Sequence, residues 1–486
     1  MTSLVHVDGL AGTVLSDGWW AASGGDVVAV VEPATGKTLA QVGVAAASDV
    51  TAAATLAARA QQAWGGLPPA DRAAVLRRAA GVLEEHQAEV VQWLIREGGA
   101  VRAKAETEIA DTVEELLQAA ALPTQPHGQV LSAGPGRSSL ARRVPLGVVG
   151  VISPWNVPLL LAMRSVAPAL ALGNAVILKP DVRTPVSGGL VVARLFEEAG
   201  LPKDVLHVLP GNAVAGAALT ANPIVTMVSF TGSTAVGREV GAAAGRRLKR
   251  VSLELGGNNA LIVLDDAGVE AAAAAGAFAS FFHQGQICMA AGRHIVHASV
   301  AEVYVQRLVE EARRLTVGDP WTDRVDLGPV IDGRQLERIH GIVRDSVAAG
   351  AELRWGGAPD GPFYPPTVLT GVTREMPAFT EEIFGPVAPV VVVRDDDEAV
   401  AVAVANDTEY GLVAAVRTGS IERGLRVADR LRTGMIHVND QTINHQAVVP
   451  FGGFGASGNG ARHGAQFAWD SYTQWQWITT QDDESA

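Results

Sequence analysis

From Leu146 onward the chain alternates β-branched apolar runs with helical patterns, and this rhythm constrains the fold more than any other feature. The runs Gly147 to Ile152, Ala175 to Leu178, Val205 to Leu209 and Val225 to Phe230 are followed by helical stretches opening at Pro158, Ser187, Val214 and Thr234. Strand, helix and parallel strand in succession build a sheet covered by helices on both faces. After Glu254-Leu255-Gly256-Gly257 the rhythm restarts with Ala260 to Leu264 and a helix from Val269 to Phe282. It continues through Val387 to Val393, a helix near Ala399, Leu412 to Val416 and Met435 to Val438. A second α/β unit is therefore expected, in keeping with 486 residues, too many for one core.

Before this region the chain reads as short strands, Val27 to Val31 and Thr38 to Val44, around a Pro33-Ala34-Thr35-Gly36 turn. Helices follow. Ser48 is the expected N-cap of one that runs to Trp64, Asp71 opens another through Leu94, and a third spans Ala103 to Ala121. From Pro123 to Val144 the chain turns polar and rich in Gly and Pro, with a strand-like piece from Ser138, as an exposed arm would. The tail Tyr472-Thr473-Gln474-Trp475-Gln476-Trp477-Ile478 alternates polar and large apolar residues. It is expected to be a strand with one sticky face, paired with the 138–144 arm of a neighbouring subunit.

A net charge of −13 argues against a nucleic-acid surface, which needs clustered Lys and Arg. The nearest approach, Arg246-Arg247-Leu248-Lys249-Arg250, reads as a solvated helix end. The start, Met1 to Asp8, has neither the basic opening nor the apolar run of a secretory signal. Ala271 to Phe282 is too short to span a membrane, and Val157 to Gly173 contains Arg164 and Pro168. A single cysteine agrees with a cytoplasmic location. Histidines and carboxylates show no ligand spacing, so no metal is expected.

That one cysteine, Cys288, stands in Phe282-His283-Gln284-Gly285-Gln286-Ile287-Cys288-Met289-Ala290-Ala291-Gly292-Arg293. A lone cysteine is commonly a small buried hydrophobe. Here the neighbours are small or polar, and a thiolate is a strong nucleophile, so Cys288 is a candidate nucleophile. Candidate helpers lie at strand ends. Phe230-Thr231-Gly232-Ser233 opens a helix whose amides can hold a phosphate, Lys179-Pro180 brings a cation to the sheet edge, and Glu254 beside Gly256-Gly257 suits a general base. Asn156 in Pro154-Trp155-Asn156-Val157-Pro158 is either a helix cap or an oxyanion donor. Each alone has a plain alternative as a surface charge or an ordinary turn, as does Glu381-Glu382-Ile383-Phe384-Gly385-Pro386.

Together, and in this order, these motifs with Pro450-Phe451-Gly452-Gly453 and Ser457-Gly458 resemble the aldehyde dehydrogenase superfamily over nearly the whole chain. The resemblance implies an α/β aldehyde dehydrogenase-like fold. A doubly wound cofactor domain would comprise 1–122 and 145–255, a catalytic α/β domain 256–452, and a β-strand oligomerisation arm 123–144 with 453–486. It implies that Cys288 attacks the aldehyde, Asn156 and the Cys288 amide stabilise the oxyanion, and Glu254 activates the hydrolytic water. For NAD or NADP it implies contacts from Ile152, Ser153, Trp155, Lys179, Gly211, Gly232, Ser233, Leu255, Glu382 and Phe384. Leu161, Arg164 and Ile287 would line the substrate tunnel, and the subunit would form a homodimer or homotetramer.

Two departures refine this. Many NAD-selective members carry a glutamate three residues after the lysine; here Val182 stands there, followed by Arg183, so NADP is expected at least to be tolerated. Asn258 replaces a common lysine, and Gly256-Gly257-Asn258-Asn259-Ala260, His283 to Met289 and Asn439 to His445 resemble the benzaldehyde, salicylaldehyde and vanillin dehydrogenase branch. Aromatic aldehydes are thus the expected substrates. Arg164 keeps a carboxylated semialdehyde, such as succinic semialdehyde, as the alternative. A thiol esterase is the rival of another class, and Glu254 disfavours a CoA-acylating variant.

Overall fold

The computed structural model describes residues 3–6, 9–16, 18–394 and 398–481; Met1, Thr2, Val7 and Asp8 of the amino-terminal segment and the last five residues of the expected arm lie outside them. The first of two seven-stranded sheets has the order Arg250–Glu254, Val225–Thr231, Val148–Ile152, Ala175–Lys179, Leu206–Val208, Thr13–Leu15 and Trp19–Ala21. Its first five strands are parallel, and the amino-terminal pair is antiparallel. Strand order reverses between Val148–Ile152 and Val225–Thr231, which makes the sheet doubly wound with its crevice at those carboxyl ends. Val148–Ile152 is buried at every position, as expected of a strand covered on both faces.

Five helices dominate the first half: α1 (Ala47–Gly66), α2 (Pro69–Glu85), α3 (Gln87–Gly98), α4 (Arg102–Ala121) and α5 (Pro158–Ala171). All fourteen residues of α5 are buried, so this helix lies inside the protein, packed against α4 and the sheet. Two expectations need correction here. The first residue before α1 is Ala46, whose amide is taken by Asp49 at 2.7 Å; Ser48 lies in the first turn and bonds Ser23 instead. The expected helix from Asp71 to Leu94 is two helices that part at His86.

The second sheet has the order Glu352–Trp355, Thr367–Thr370, Val387–Val393, Ala291–His297, Asn259–Val263, Val413–Arg417 and Met435–Val438. All neighbours but the first pair are parallel. The strands Ala291–His297, Glu352–Trp355 and Thr367–Thr370 complete it without having been expected from the sequence, and the helices Ala298–Arg314 and Gly333–Ala348 were likewise not expected.

The arm is a three-stranded antiparallel sheet of Thr473–Gln481, Arg137–Pro145 and Gly128–Val130. The tail thus pairs with the arm of its own chain, Thr473 opposite Pro145 through Gln481 opposite Arg137, and not with a neighbour's. Nine residues on each of these two strands pair within one subunit, and Thr473–Gln481 remains an edge strand with its outer side unpaired among the described residues. Among the described residues no helix is long and apolar enough to cross a membrane.

Candidate active site

The helix Val269–Phe281 ends in a turn whose backbone is strained. His283 and Gln284 take φ of 51° and 55°, and Gly285 follows at 66°. A non-glycine residue held there costs on the order of 1–3 kcal/mol, so surrounding contacts must hold the turn. They do. Gln284 Nε2 donates to Gly99 O and Pro329 O at 2.9 Å each, His283 Nε2 donates to Asn156 O at 2.8 Å, and Gln286 Oε1 accepts the Ile331 amide at 3.0 Å. A side chain at Gly285 would lie 2.1 Å from Gly385 O, so only glycine fits.

This turn delivers Cys288, half-buried, to the edge of an apolar cluster of Ile287, Met289, Leu412, Val413 and Phe451. Phe282, Met435 and Ile443 pack beside it. Burial pushes the thiol up to about 12; Arg164 opposes this, and Glu382 and Glu254 reinforce it. Asn156 Nδ2 donates to Gln286 O at 2.8 Å, two residues before the cysteine. Asn156 is therefore not a helix cap: the residue before α5 is Val157, and no side chain caps it.

Glu254 ends the strand Arg250–Glu254 with its carboxylate buried and neither oxygen hydrogen-bonded among the described residues. Burial raises its pKa to about 8 while Arg164 and Arg462 hold it down. A Cβ at Gly452 would meet Glu254 Oε1 at 2.9 Å and Arg462 Nη1 at 2.6 Å, so the absence of a side chain here leaves room for both groups.

Arg164, from α5, is buried, with Nε 3.4 Å from Glu115 Oε1 and Nη2 3.0 Å from His445 Nδ1. Its guanidinium lies 4.2 Å from the Phe451 ring centre. Leu161, one turn earlier, is buried too.

The crevice of the first sheet carries the other expected residues. Lys179 Nζ donates to Gly211 O at 2.7 Å and Pro180 O at 3.1 Å, and burial lowers its pKa. Beyond Ile152, Ser153 donates its amide to Lys179 O at 3.2 Å, and its buried hydroxyl has no partner among the described residues. Gly232 donates to Glu254 O at 3.0 Å, and exposed Ser233 precedes the helix Thr234–Gly245 without capping it. Leu255 packs on Gly237 of that helix. Glu382 Oε1 accepts the Gly257 amide at 3.0 Å, with its pKa raised to about 7 by burial. Phe384 meets Trp155 edge-on at 5.5 Å, and Arg183 covers Trp155 at 4.9 Å. An ammonium, a carboxylate, a helix-opening turn with an exposed hydroxyl and an unpaired buried serine suit a dinucleotide.

Several residues of the site were not read from the sequence. Lys104, Glu108 and Glu115 project from α4 into the interior, and His445 and Arg462 reach in from the carboxyl-terminal segment. The available signal was spacing: 104, 108 and 115 share one helical face with the buried Ile109 and Thr112.

A thiol, a carboxylate and a carboxamide near one another between two mainly parallel sheets make a set able to support nucleophilic chemistry at sulfur. The family model described as "Aldehyde dehydrogenase family" matches residues 19–478. The chain belongs to that family and is an oxidoreductase that acts on aldehydes. It is 53% identical over 473 residues to a vanillin dehydrogenase of Amycolatopsis sp., covering 97% of each chain. It is 51% identical over 469 residues to a benzaldehyde dehydrogenase [NAD(+)] of Pseudomonas putida, covering 96% of each. Among solved structures, a betaine aldehyde dehydrogenase from Staphylococcus aureus in complex with NAD+ superposes with a TM-score of 0.94 at 29% identity, covering 99% of this chain and 96% of that one. An E. coli NADP dependent enzyme gives 0.93 at 33% identity, covering 97% and 98%.

Proposed function

We propose that the protein oxidises aromatic aldehydes of the benzaldehyde and vanillin kind to carboxylic acids, with NAD or NADP as acceptor. The observation that carries this reading is the apolar cluster around Cys288, walled by Phe451, Ile287 and Met289, beside an Arg164 already paired with Glu115. A flat apolar ring fits such a wall, and the nearby cation is compensated within the protein. The names of the two relatives above point the same way.

In this reading the Cys288 thiol gives its proton to Glu254 and the thiolate adds to the aldehyde carbon. The new oxyanion is met by the Cys288 amide and by Asn156, whose Nδ2 has a second hydrogen beyond the one given to Gln286 O. Lys179, Ser233 and Glu382 would hold a nicotinamide cofactor, which when bound would supply the acceptor for the hydrogen and electron pair that leave this carbon. Cys288 then carries a thioester. Glu254, ionised again once it has passed the thiol's proton to solvent, takes a proton from the water that attacks the thioester carbon, and the Cys288 sulfur leaves as the thiolate. Val182, which places no carboxylate near the adenosine ribose, supports use of both cofactors.

The proposed division assigns 1–122 and 145–255 to the cofactor, 256–452 to catalysis, and 123–144 with 453–486 to an oligomerisation arm. Exposed Val130, Trp475 and Trp477 on the arm support a homodimer or homotetramer.

The test is initial rates with benzaldehyde, vanillin and succinic semialdehyde, each with NAD and NADP, for wild type and Cys288→Ser. Preference for the ring substrates, with loss of activity in the variant, is expected. Preference for the semialdehyde, or ester hydrolysis outpacing cofactor reduction, would overturn the reading.

A further inference from the structure

The main-chain carbonyl of Asn156 accepts from two directions. Lys104 Nζ, from α4, donates to it at 2.9 Å, and His283 Nε2, from the strained turn that leads to Cys288, donates at 2.8 Å. Lys104 is buried and paired with Glu108, one helical turn on and equally buried. The second oxygen of Glu108 accepts the amides of Leu159 and Leu160, at 2.9 and 3.3 Å, in the first turn of α5. One buried ion pair thus grips both sides of Val157: its cation takes the carbonyl before, and its anion takes the orphan amides after. Such a pair gains little stability over apolar packing of equal volume, so its effect is on geometry.

The side chain between these grips is the carboxamide of Asn156, tied in turn to Gln286 O at 2.8 Å. Backbone and side chain of one residue are therefore fastened to the turn that carries the nucleophile. His283 sits in full burial near the Lys104 charge, which keeps it well below the usual histidine range and hence neutral. As a neutral ring it donates through one nitrogen, and the acceptor fixes that nitrogen as Nε2.

We propose that Lys104 is a positioning residue: held by Glu108, it sets the Asn156 main chain so that the second Nδ2 hydrogen meets the aldehyde oxygen as it becomes an anion. This rests on the reading of Asn156 as oxyanion donor. Lys104 touches neither substrate nor cofactor in this scheme. Its charge strengthens the bond to the carbonyl, and displacement of an oriented donor by a fraction of its hydrogen-bond length is enough to slow the reaction.

The test combines Lys104→Met with Glu108→Gln, so that no buried charge is left alone, in the wild type and in Asn156→Ala. Full-length enzyme is assayed with benzaldehyde and NAD, and rates are normalised to the Cys288 thiol titrated in each sample. Asn156→Ala is expected to lower kcat by about 10²–10³. The Lys104 and Glu108 pair of changes is expected to lower kcat about tenfold with KM nearly unchanged, and to cost nothing further once Asn156 is alanine. Lys104→Arg, which retains a charged donor, is expected to keep more kcat than Lys104→Gln. An equal loss in both backgrounds, or a loss confined to KM, overturns the role of Lys104. Full activity in Asn156→Ala overturns the oxyanion reading itself, and that single variant tells the two failures apart.

Discussion

Arg164 and Glu115 are paired at 3.4 Å with both side chains buried, on α5 and α4 respectively. His445 closes the group, its ring 3.0 Å from Arg164 Nη2 and 3.5 Å from Glu115 Oε1. A cation within reach of Cys288 and Glu254 is thereby balanced from within the protein, and what it offers a substrate depends on Glu115. Burial raises the pKa of Glu115 to about 7, against the pull of Arg164. As pH falls through that value Glu115 takes up a proton and leaves Arg164 uncompensated.

Glu115→Gln makes that state permanent. The variant is expected to improve kcat/KM for succinic semialdehyde relative to benzaldehyde by about tenfold at pH 8, with a smaller gain at pH 6, where wild-type Glu115 is already largely protonated. Paired rates with the two aldehydes at both pH values decide it. An unchanged ratio would mean that the substrate carboxylate does not reach Arg164.

Glu254 is buried without a hydrogen-bond partner among the described residues, and its pKa stands at about 8 against an ordinary 4.5. The folded state therefore holds a proton that the unfolded chain gives up, and stability declines as pH rises from about 4.5 toward 8. Glu254→Gln, which has no proton to lose, is expected to raise Tm over wild type by more at pH 8 than at pH 5, while turnover falls. Thermal melts at the two pH values check the sign. An equal Tm difference at both would show that the Glu254 proton is not linked to folding. Arg462→Met, by removing a cation that favours the ionised form, is expected to move the rising limb of the pH–rate profile to higher pH.

Arg183 is held by Asp181 at 2.8 Å and Asp332 at 3.2 Å while it lies over Trp155. Its charge is partly spent on those partners, so in the proposed reading Val182 is expected to bear on cofactor choice more than Arg183 does. Val182→Glu is expected to lower kcat/KM for NADP relative to NAD at least tenfold through repulsion of the 2′-phosphate. Comparable ratios in variant and wild type would remove the basis for that assignment.

The arm presents Val130, Trp475 and Trp477 at 87%, 53% and 71% exposure. Trp475 and Trp477 stand two residues apart on one face of the edge strand, and isolated subunits rarely leave so much aromatic surface in water. Trp477→Asp is expected to dissociate the proposed oligomer, which light scattering on a sizing column reports directly. A wild-type monomer at micromolar concentration would contradict the arm's proposed role.

How much of this was legible in the sequence follows from physical scale. Repeating signals survived: strands such as Ala175–Lys179 fall within a residue or two of their apolar runs, because burial on both faces demands an unbroken run. The places of Cys288, Glu254 and Asn156 beside strand ends and turns were legible because their motifs also dictate backbone shape, as Gly285 shows where a carbonyl leaves no room for a side chain. Interactions over long sequence separation were not. Lys104, Glu108 and Glu115 look like the solvated stripe of an amphipathic helix until α5, buried on every face, is found to cover them. The break at His86 was hidden because apolar spacing continues across it, and the tail's partner was misassigned because alternation reveals a sticky face but not whose strand lies opposite.

Two glycines separate backbone demand from propensity. Gly285 has a φ of +66° with Gly385 O 2.1 Å from where a Cβ would stand, whereas Gly81, inside α2, has nothing within 4 Å of that point. Gly81→Ala is expected to stabilise the protein by about 0.5–1 kcal/mol, since alanine loses less freedom on joining a helix. Gly285→Ala must push two backbone segments apart and hold a third consecutive residue with a side chain at positive φ, beside His283 and Gln284. It is expected to displace Cys288 from Asn156, so that thiol labelling quickens as the turn opens while aldehyde oxidation falls by at least two orders of magnitude. Melting curves, labelling rates and turnover on the two variants separate these outcomes, and a Gly285→Ala enzyme with normal turnover would show that the strained turn is not what places the nucleophile.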